Sequence, residues 1–240
     1  MKKPVFLVLA LVVLLGCSEN DQLPPFSSKV EVSFSFILPQ SGSMTKAAAA
    51  EVYDSFYESY IKSGQLLPDN YSLSIKTIAG VEVELVSGSW SKNKPVMLPT
   101  GKYHITGTSK GAISFNDYYR RAPLVFDEVI EITENTTSIV LHANYDCYLL
   151  LFDADGKSYF SWTLDGTSKD GISGDVSKAG NYYYLFVQEK FKSNGNVKWN
   201  YNSQVTYINM SIFDFQKGYY YYFNDFTGSF DIPKMHAGSI

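Results

Sequence analysis

Val30-Glu31-Val32-Ser33-Phe34-Ser35-Phe36-Ile37-Leu38 alternates over its whole length. Val30, Val32, Phe34, Phe36 and Leu38 fall on one side of an extended chain, and Glu31, Ser33 and Ser35 on the other. Successive side chains of a strand point to opposite faces, so this period of two specifies a strand with one face buried. The pattern returns downstream: Tyr71, Leu73 and Ile75 alternate with Ser72, Ser74 and Lys76, and after a turn at Ile78-Ala79-Gly80 the stretch 81–86 alternates around Glu82 and Glu84.

One segment breaks this rhythm. Residues 45–63 open with the helix formers Ala47, Ala48, Ala49 and Ala50. Val52, Phe56 and Tyr60, with Tyr53, Tyr57 and Ile61, then recur at the four-residue spacing of an apolar helical stripe, and Gly64 is placed to end it. Farther on, Leu98-Pro99-Thr100-Gly101-Lys102-Tyr103 predicts a tight hairpin, since Pro presets φ and Gly permits φ > 0. Strands are expected at 123–126, 128–132 and 136–143.

A second block begins near Asp146. Residues 147–152 (Cys-Tyr-Leu-Leu-Leu-Phe) are continuously apolar, as in a strand buried on both faces. Strands at 158–164, 181–188, 204–213 and 219–226 follow, with turn signals such as Asp165-Gly166 and Lys192-Ser193-Asn194-Gly195 between them. Many short strands and a single helix indicate a mainly β chain built as a sandwich or a pair of sandwiches, divided into 29–145 and 146–240.

Composition narrows the function. The chain has 20 basic and 24 acidic residues, and its only arginines are Arg120 and Arg121. An acidic chain without clustered Lys and Arg is unsuited to binding nucleic acid. Two cysteines, Cys17 and Cys147, are too few for a Cys-based zinc site. No cofactor is called for. Aromatic content is high, with 19 Tyr and 16 Phe, which favours half-buried pleated surfaces.

The first residues carry an address. Lys2 and Lys3 precede an apolar run at 5–15, too short for a comfortable bilayer span, and small residues follow. Leu14-Leu15-Gly16-Cys17 resembles a bacterial lipobox, which implies cleavage after residue 16 and acylation of the Cys17 thiol. Loss of 1–16 removes Lys2 and Lys3 and shifts the formal charge from -4 to about -6. Residues 17–28, with Ser18-Glu19-Asn20-Asp21, form a polar tether unable to bury a core. Its start is similar to the acidic tethers of Bacteroidota-type surface lipoproteins, although Asn20 interrupts the acids. The resemblance implies a lipid anchor in the outer membrane and display at the cell surface.

The lipobox, the alternating first strand, the stretch Leu98 to Tyr103 and the second β block together resemble the fimbrillin-type lipoproteins. That resemblance implies two transthyretin-like β-sandwich domains in tandem, a structural or adhesive role, and protein partners gained by strand exchange. Polymerising members are cut by an Arg-specific protease near the first strand. Here no Arg lies near Val30, and Arg120-Arg121 falls mid-domain, which leaves anchor, tip and stand-alone roles open.

His104 and His142 fall in expected strands and His236 in the C-terminal tail, none with a catalytic signature around it. Asp153-Ala154-Asp155-Gly156 and the stretch between Asp165 and Asp170 read as turns. The first begins like a calcium loop but has Leu164 where the twelfth-position carboxylate belongs. These readings predict no catalytic residue and no metal site. Asp54-Ser55-Phe56 resembles an O-glycosylation acceptor, but the motif is short and Phe56 belongs to the helical stripe. The rings of the second block offer the alternative to a structural role, a glycan-binding lipoprotein of a polysaccharide-uptake system. Trp199, Tyr201, Tyr219 and Tyr221 are the candidate contacts with a ligand or partner, because Tyr and Trp join apolar area to a polar tip.

Overall fold

The alternating stretch forms strand β1 (Lys29–Ile37), with Val32 and Phe34 fully buried. The structure, a computed structural model, describes residues 28–39, 48–89, 95–109, 120–153, 157–164, 173–188, 190–201, 203–224 and 234–239. After β1 come helix α1 (Ala48–Phe56) and strands β2 (Asn70–Thr77), β3 (Glu82–Ser89), β4 (Val96–Pro99), β5 (Gly101–Ser109), β6 (Leu124–Ile132), β7 (Ser138–His142) and β8 (Asn144–Tyr145). Sheet I has the order β4-β1-β7, and sheet II the order β3-β2-β5-β6-β8. The two pack face to face: Phe36 of sheet I lies 4.6 Å from Tyr71 and 5.3 Å from Phe126 of sheet II. β1 changes partner midway, pairing antiparallel with β4 through Val32 and parallel with β7 from Ser33.

The second half supplies β9 (Tyr148–Asp153), β10 (Lys157–Thr163), β11 (Ser173–Asp175), β12 (Ser177–Ala179), β13 (Tyr182–Val187), β14 (Asn196–Tyr201), β15 (Gln204–Asn209), β16 (Tyr219–Asn224) and β17 (Lys234–Ser239). Sheet III runs β12-β13-β9-β16-β17 and sheet IV runs β11-β10-β14-β15. Each sheet draws its strands from one side of residues 146 and 147 only.

Helix α1 connects the halves. It continues into a single π turn, Tyr57–Ile61, where the Lys62 N–H donates to the Tyr57 carbonyl at 2.9 Å, and Gly64 ends it at φ +84°. Tyr53 stacks on Tyr220 of sheet III with ring centroids 4.6 Å apart and planes 7° from parallel. Phe56 meets Tyr184 at 5.6 Å and Tyr182 at 6.2 Å. Sheet III is therefore covered twice. Leu149, Leu151, Tyr184, Phe186, Tyr220 and Tyr222 join the core under the helix, while Tyr148, Leu150, Phe152, Leu185, Val187 and Phe223 join the core against sheet IV. This is the environment that the unbroken apolar run at 147–152 demands.

The junction is hydrogen-bonded. Asp146 donates its N–H to the Pro123 carbonyl at 2.9 Å and accepts from Gln188 Nε2 at 2.7 Å. The Gly218 N–H donates to the Cys147 carbonyl at 2.9 Å, and the Tyr184 hydroxyl donates to the Arg120 carbonyl at 3.1 Å. Gly180, at φ +55°, sits where a Cβ would come within 2.3 Å of the Tyr60 hydroxyl, so a side chain there would be strained by the backbone and would push the Tyr60 ring aside.

Three expectations are corrected. The Pro99-Thr100-Gly101 turn does not close a hairpin: β4 pairs with β1 in sheet I, whereas β5 pairs with β2 and β6 in sheet II. The chain turns a corner between layers, pinned by the Tyr103 hydroxyl donating to the Pro99 carbonyl at 2.7 Å. The segments expected at 123–126 and 128–132 are one strand, because Asp127 is an exposed position of β6 and not a break. His236, expected in the C-terminal tail, belongs to the strand β17 there, opposite Tyr222 of β16.

Candidate interaction faces

In a two-layer sandwich, what a partner can touch is the outer face of each sheet and its unpaired edges. The ring residues chosen from the sequence fall differently. Trp199 is 3% exposed and stacks on Phe160 at 5.9 Å, and Tyr221 is 5% exposed against Phe215 at 4.7 Å. Both point into the core between sheets III and IV, so a ligand-stacking platform cannot be built from them as folded. Tyr219 is half-buried at the margin of that core, 6.5 Å from Tyr221. Tyr201 ends β14 opposite Gln204, and its side chain is outside the described part. Trp199 takes the inward face of β14, on which Val197 is also buried. In β16 the ring positions alternate between two faces, and both faces are covered.

The titratable groups are spent on structure. Burial pushes the hydroxyls of Tyr53, Tyr145 and Tyr184 up from the ordinary tyrosine value. Burial also pushes the Cys147 thiol well up, which keeps it protonated and unreactive. His104 Nε2 lies 2.6 Å from Asp127 Oδ1, and His142 Nδ1 lies 3.1 Å from Glu128 Oε1. Each such pair is one imidazole against one carboxylate at an exposed position. Among the described residues no group of three or more His, Cys, Asp or Glu side chains is placed to hold a metal ion. Asp153 ends β9 half-buried, while Asp155, Asp165 and Asp170 lie outside the described residues, as do Cys17 and residues 18–27 of the tether. Asp54 and Ser55 are exposed on α1, with Phe56 buried beside them. No described helix is long and apolar enough to cross a membrane.

The outer faces carry what the interior does not use. Sheet II presents Leu85 and Val129 among charged neighbours. Sheet IV presents an edge strand, β15, whose residues Gln204-Val205-Thr206-Tyr207-Ile208-Asn209 include no charge and no proline. Val205 is 71% and Tyr207 67% exposed. Nothing local in the sequence marks this face, because Tyr207 stands apart from the ring-dense runs.

No family model matches this chain, and no curated protein does. Among solved structures, the chain is similar to a fimbrial assembly protein from Parabacteroides distasonis, with 8% identity, 82% of this chain and 91% of that one covered, and a TM-score of 0.44. A fimbrial anchor protein from Porphyromonas gingivalis shares 10% identity over 81% of this chain and 90% of its own, at 0.35. A candidate cell adhesion protein from Bacteroides uniformis shares 8% identity over 88% and 96%, at 0.48. These neighbours are fimbrial and adhesion proteins, the group to which the sequence motifs also bear a resemblance.

Proposed function

We propose that this chain is a non-enzymatic lipoprotein of the outer membrane, held through acylated Cys17 on a tether over 17–28. Its two sandwich domains, transthyretin-like and spanning 29–145 and 146–240, stand at the cell surface in a structural or adhesive role. The observation that carries the reading is the division of surfaces. Aromatic rings are consumed in joining the halves through α1, while sheet edges and outer faces stay open among the described residues. A body stiffened this way acts by contact. The lipobox at Leu14-Leu15-Gly16-Cys17 supports the anchor.

Protein partners in this reading add to an edge. A strand edge offers unpaired N–H and C=O groups to an incoming chain, and β15 lacks the charges and prolines that usually deter such pairing. Labelled palmitate fed to cells tests the anchor: wild-type chain takes up label and Cys17→Ser does not. Protease added to intact cells tests display, with the body expected to be digested. An unlabelled product, or a body protected in intact cells, contradicts the reading.

A further inference from the structure

On the outer face of sheet IV, four side chains form a rectangle. Tyr207 of β15 lies opposite Lys198 of β14, and Asn209 lies opposite Asn196. Directly paired strand positions stand about 5 Å apart and alternate positions along a strand about 7 Å apart, so the patch has the span of one sugar ring. Asn194, from the turn before β14, adds a further amide at the rim. The resulting open recess of about 340 Å³ is lined by Asn194, Asn196, Lys198, Tyr207 and Asn209.

We propose that this recess binds a saccharide. A pyranose presents an apolar C–H face and a ring of hydroxyls that both donate and accept. An exposed tyrosine ring matches the first, and amides, which also donate and accept, match the second. Lys198 contributes three donors and makes no ion pair among the described residues. The lining has one cation and no carboxylate, too little charge to hold a nucleic acid. Its amides would lose their water for nothing against a purely apolar ligand.

The amides are also held in place. Asn209 Oδ1 accepts from the Ser211 N–H at 3.0 Å and from Ser211 Oγ at 2.7 Å, which fixes the orientation of its amide and leaves Nδ2 without a partner among the described residues. Asn196 Nδ2 donates to the Asn194 carbonyl at 2.9 Å. Asn194 adopts φ +71°, and the turn is closed by the Gly195 N–H donating to the Lys192 carbonyl at 2.8 Å. A Cβ at Gly195 would come within 2.5 Å of the Leu164 carbonyl oxygen, so only glycine lets this turn sit against β10. Side chains already fixed lose little freedom on binding.

The inference rests on the surface-display reading but not on lipidation itself. It is tested by applying the full chain, purified in detergent, to an array of neutral and uronic-acid-containing polysaccharides. Binding to at least one is expected, weakened at least about tenfold by Tyr207→Ala and largely kept by Tyr207→Phe. Tyr159→Ala, exposed but outside the recess, should bind like wild type. A blank array, binding untouched by Tyr207→Ala, or capture of peptides alone overturns the proposal. If palmitate labelling and surface digestion still succeed, the site has failed and the display reading has not.

Discussion

Sheets III and IV belong to the same half of the chain, and both are rich in aromatic residues, yet they use their rings in opposite ways. Sheet III is buried on both faces, by sheet IV on one side and by α1 on the other, so its consecutive tyrosines all have work inside the protein. Sheet IV is buried on one face only: Trp162 and Trp199 point in, and Tyr207 points out. A dense run of rings thus marks a strand held between two layers, and the outward rings of sheet IV, Tyr159 and Tyr207, lie on strands with one face open. Burial, which costs a side chain its solvent contacts, is the variable that separates them.

The strongest attempt to break this comparison is Phe152→Ala. Phe152 is fully buried between Phe160 at 5.6 Å and Phe223 at 5.2 Å. Its loss should cost about 3–5 kcal/mol, read as a lower urea midpoint with an unchanged slope. High pH probes the other covered face. Tyr53, Tyr145 and Tyr184 have their hydroxyls pushed above the ordinary 10.0 by burial, so above that pH the unfolded chain gives up protons that the folded one keeps. Stability should be flat with respect to these groups below about pH 10 and fall steadily beyond it, a trend followed by chemical denaturation across pH. Stability that rose above that point would contradict the burial of these rings.

Gly180→Ala sharpens the seam between α1 and β13. A left-handed position against the Tyr60 hydroxyl should make this change cost about 1–2 kcal/mol by thermal unfolding. Smallest of all is Tyr207→Ala, expected to move stability by no more than about 0.5 kcal/mol because the ring packs against little. A large loss there would mean that sheet IV is covered like sheet III.

The sequence carried the parts of this architecture that depend on neighbours along the chain. The alternation at Val32 and Phe34, the helical stripe of Tyr53, Phe56, Tyr57 and Ile61, and the unbroken run at 147–152 each state their own burial. What it withheld depends on distant partners. Pro99 and Gly101 specify a sharp turn, but not whether the flanking strands join one sheet or two. β14 is hard to read as a strand because Asn196 and Asn200 are poor strand formers, although Val197 and Trp199 alternate with them. β17 is disguised in the same way by Ala237 and Gly238. Nothing local to Trp199 or Tyr221 says that one faces a packed core and the other lies in a doubly covered sheet. The cover over sheet III comes from a helix more than 150 residues earlier than β16.

Nitration of the folded full-length chain with tetranitromethane, mapped by mass spectrometry, tests the division of rings most directly. Among the described tyrosines, modification should fall first on Tyr159 and Tyr207, at 63% and 67% exposure, and spare Tyr148, Tyr184, Tyr220, Tyr221 and Tyr222 until the chain unfolds. Early nitration of the rings in β13 and β16, with Tyr207 protected, would contradict the account.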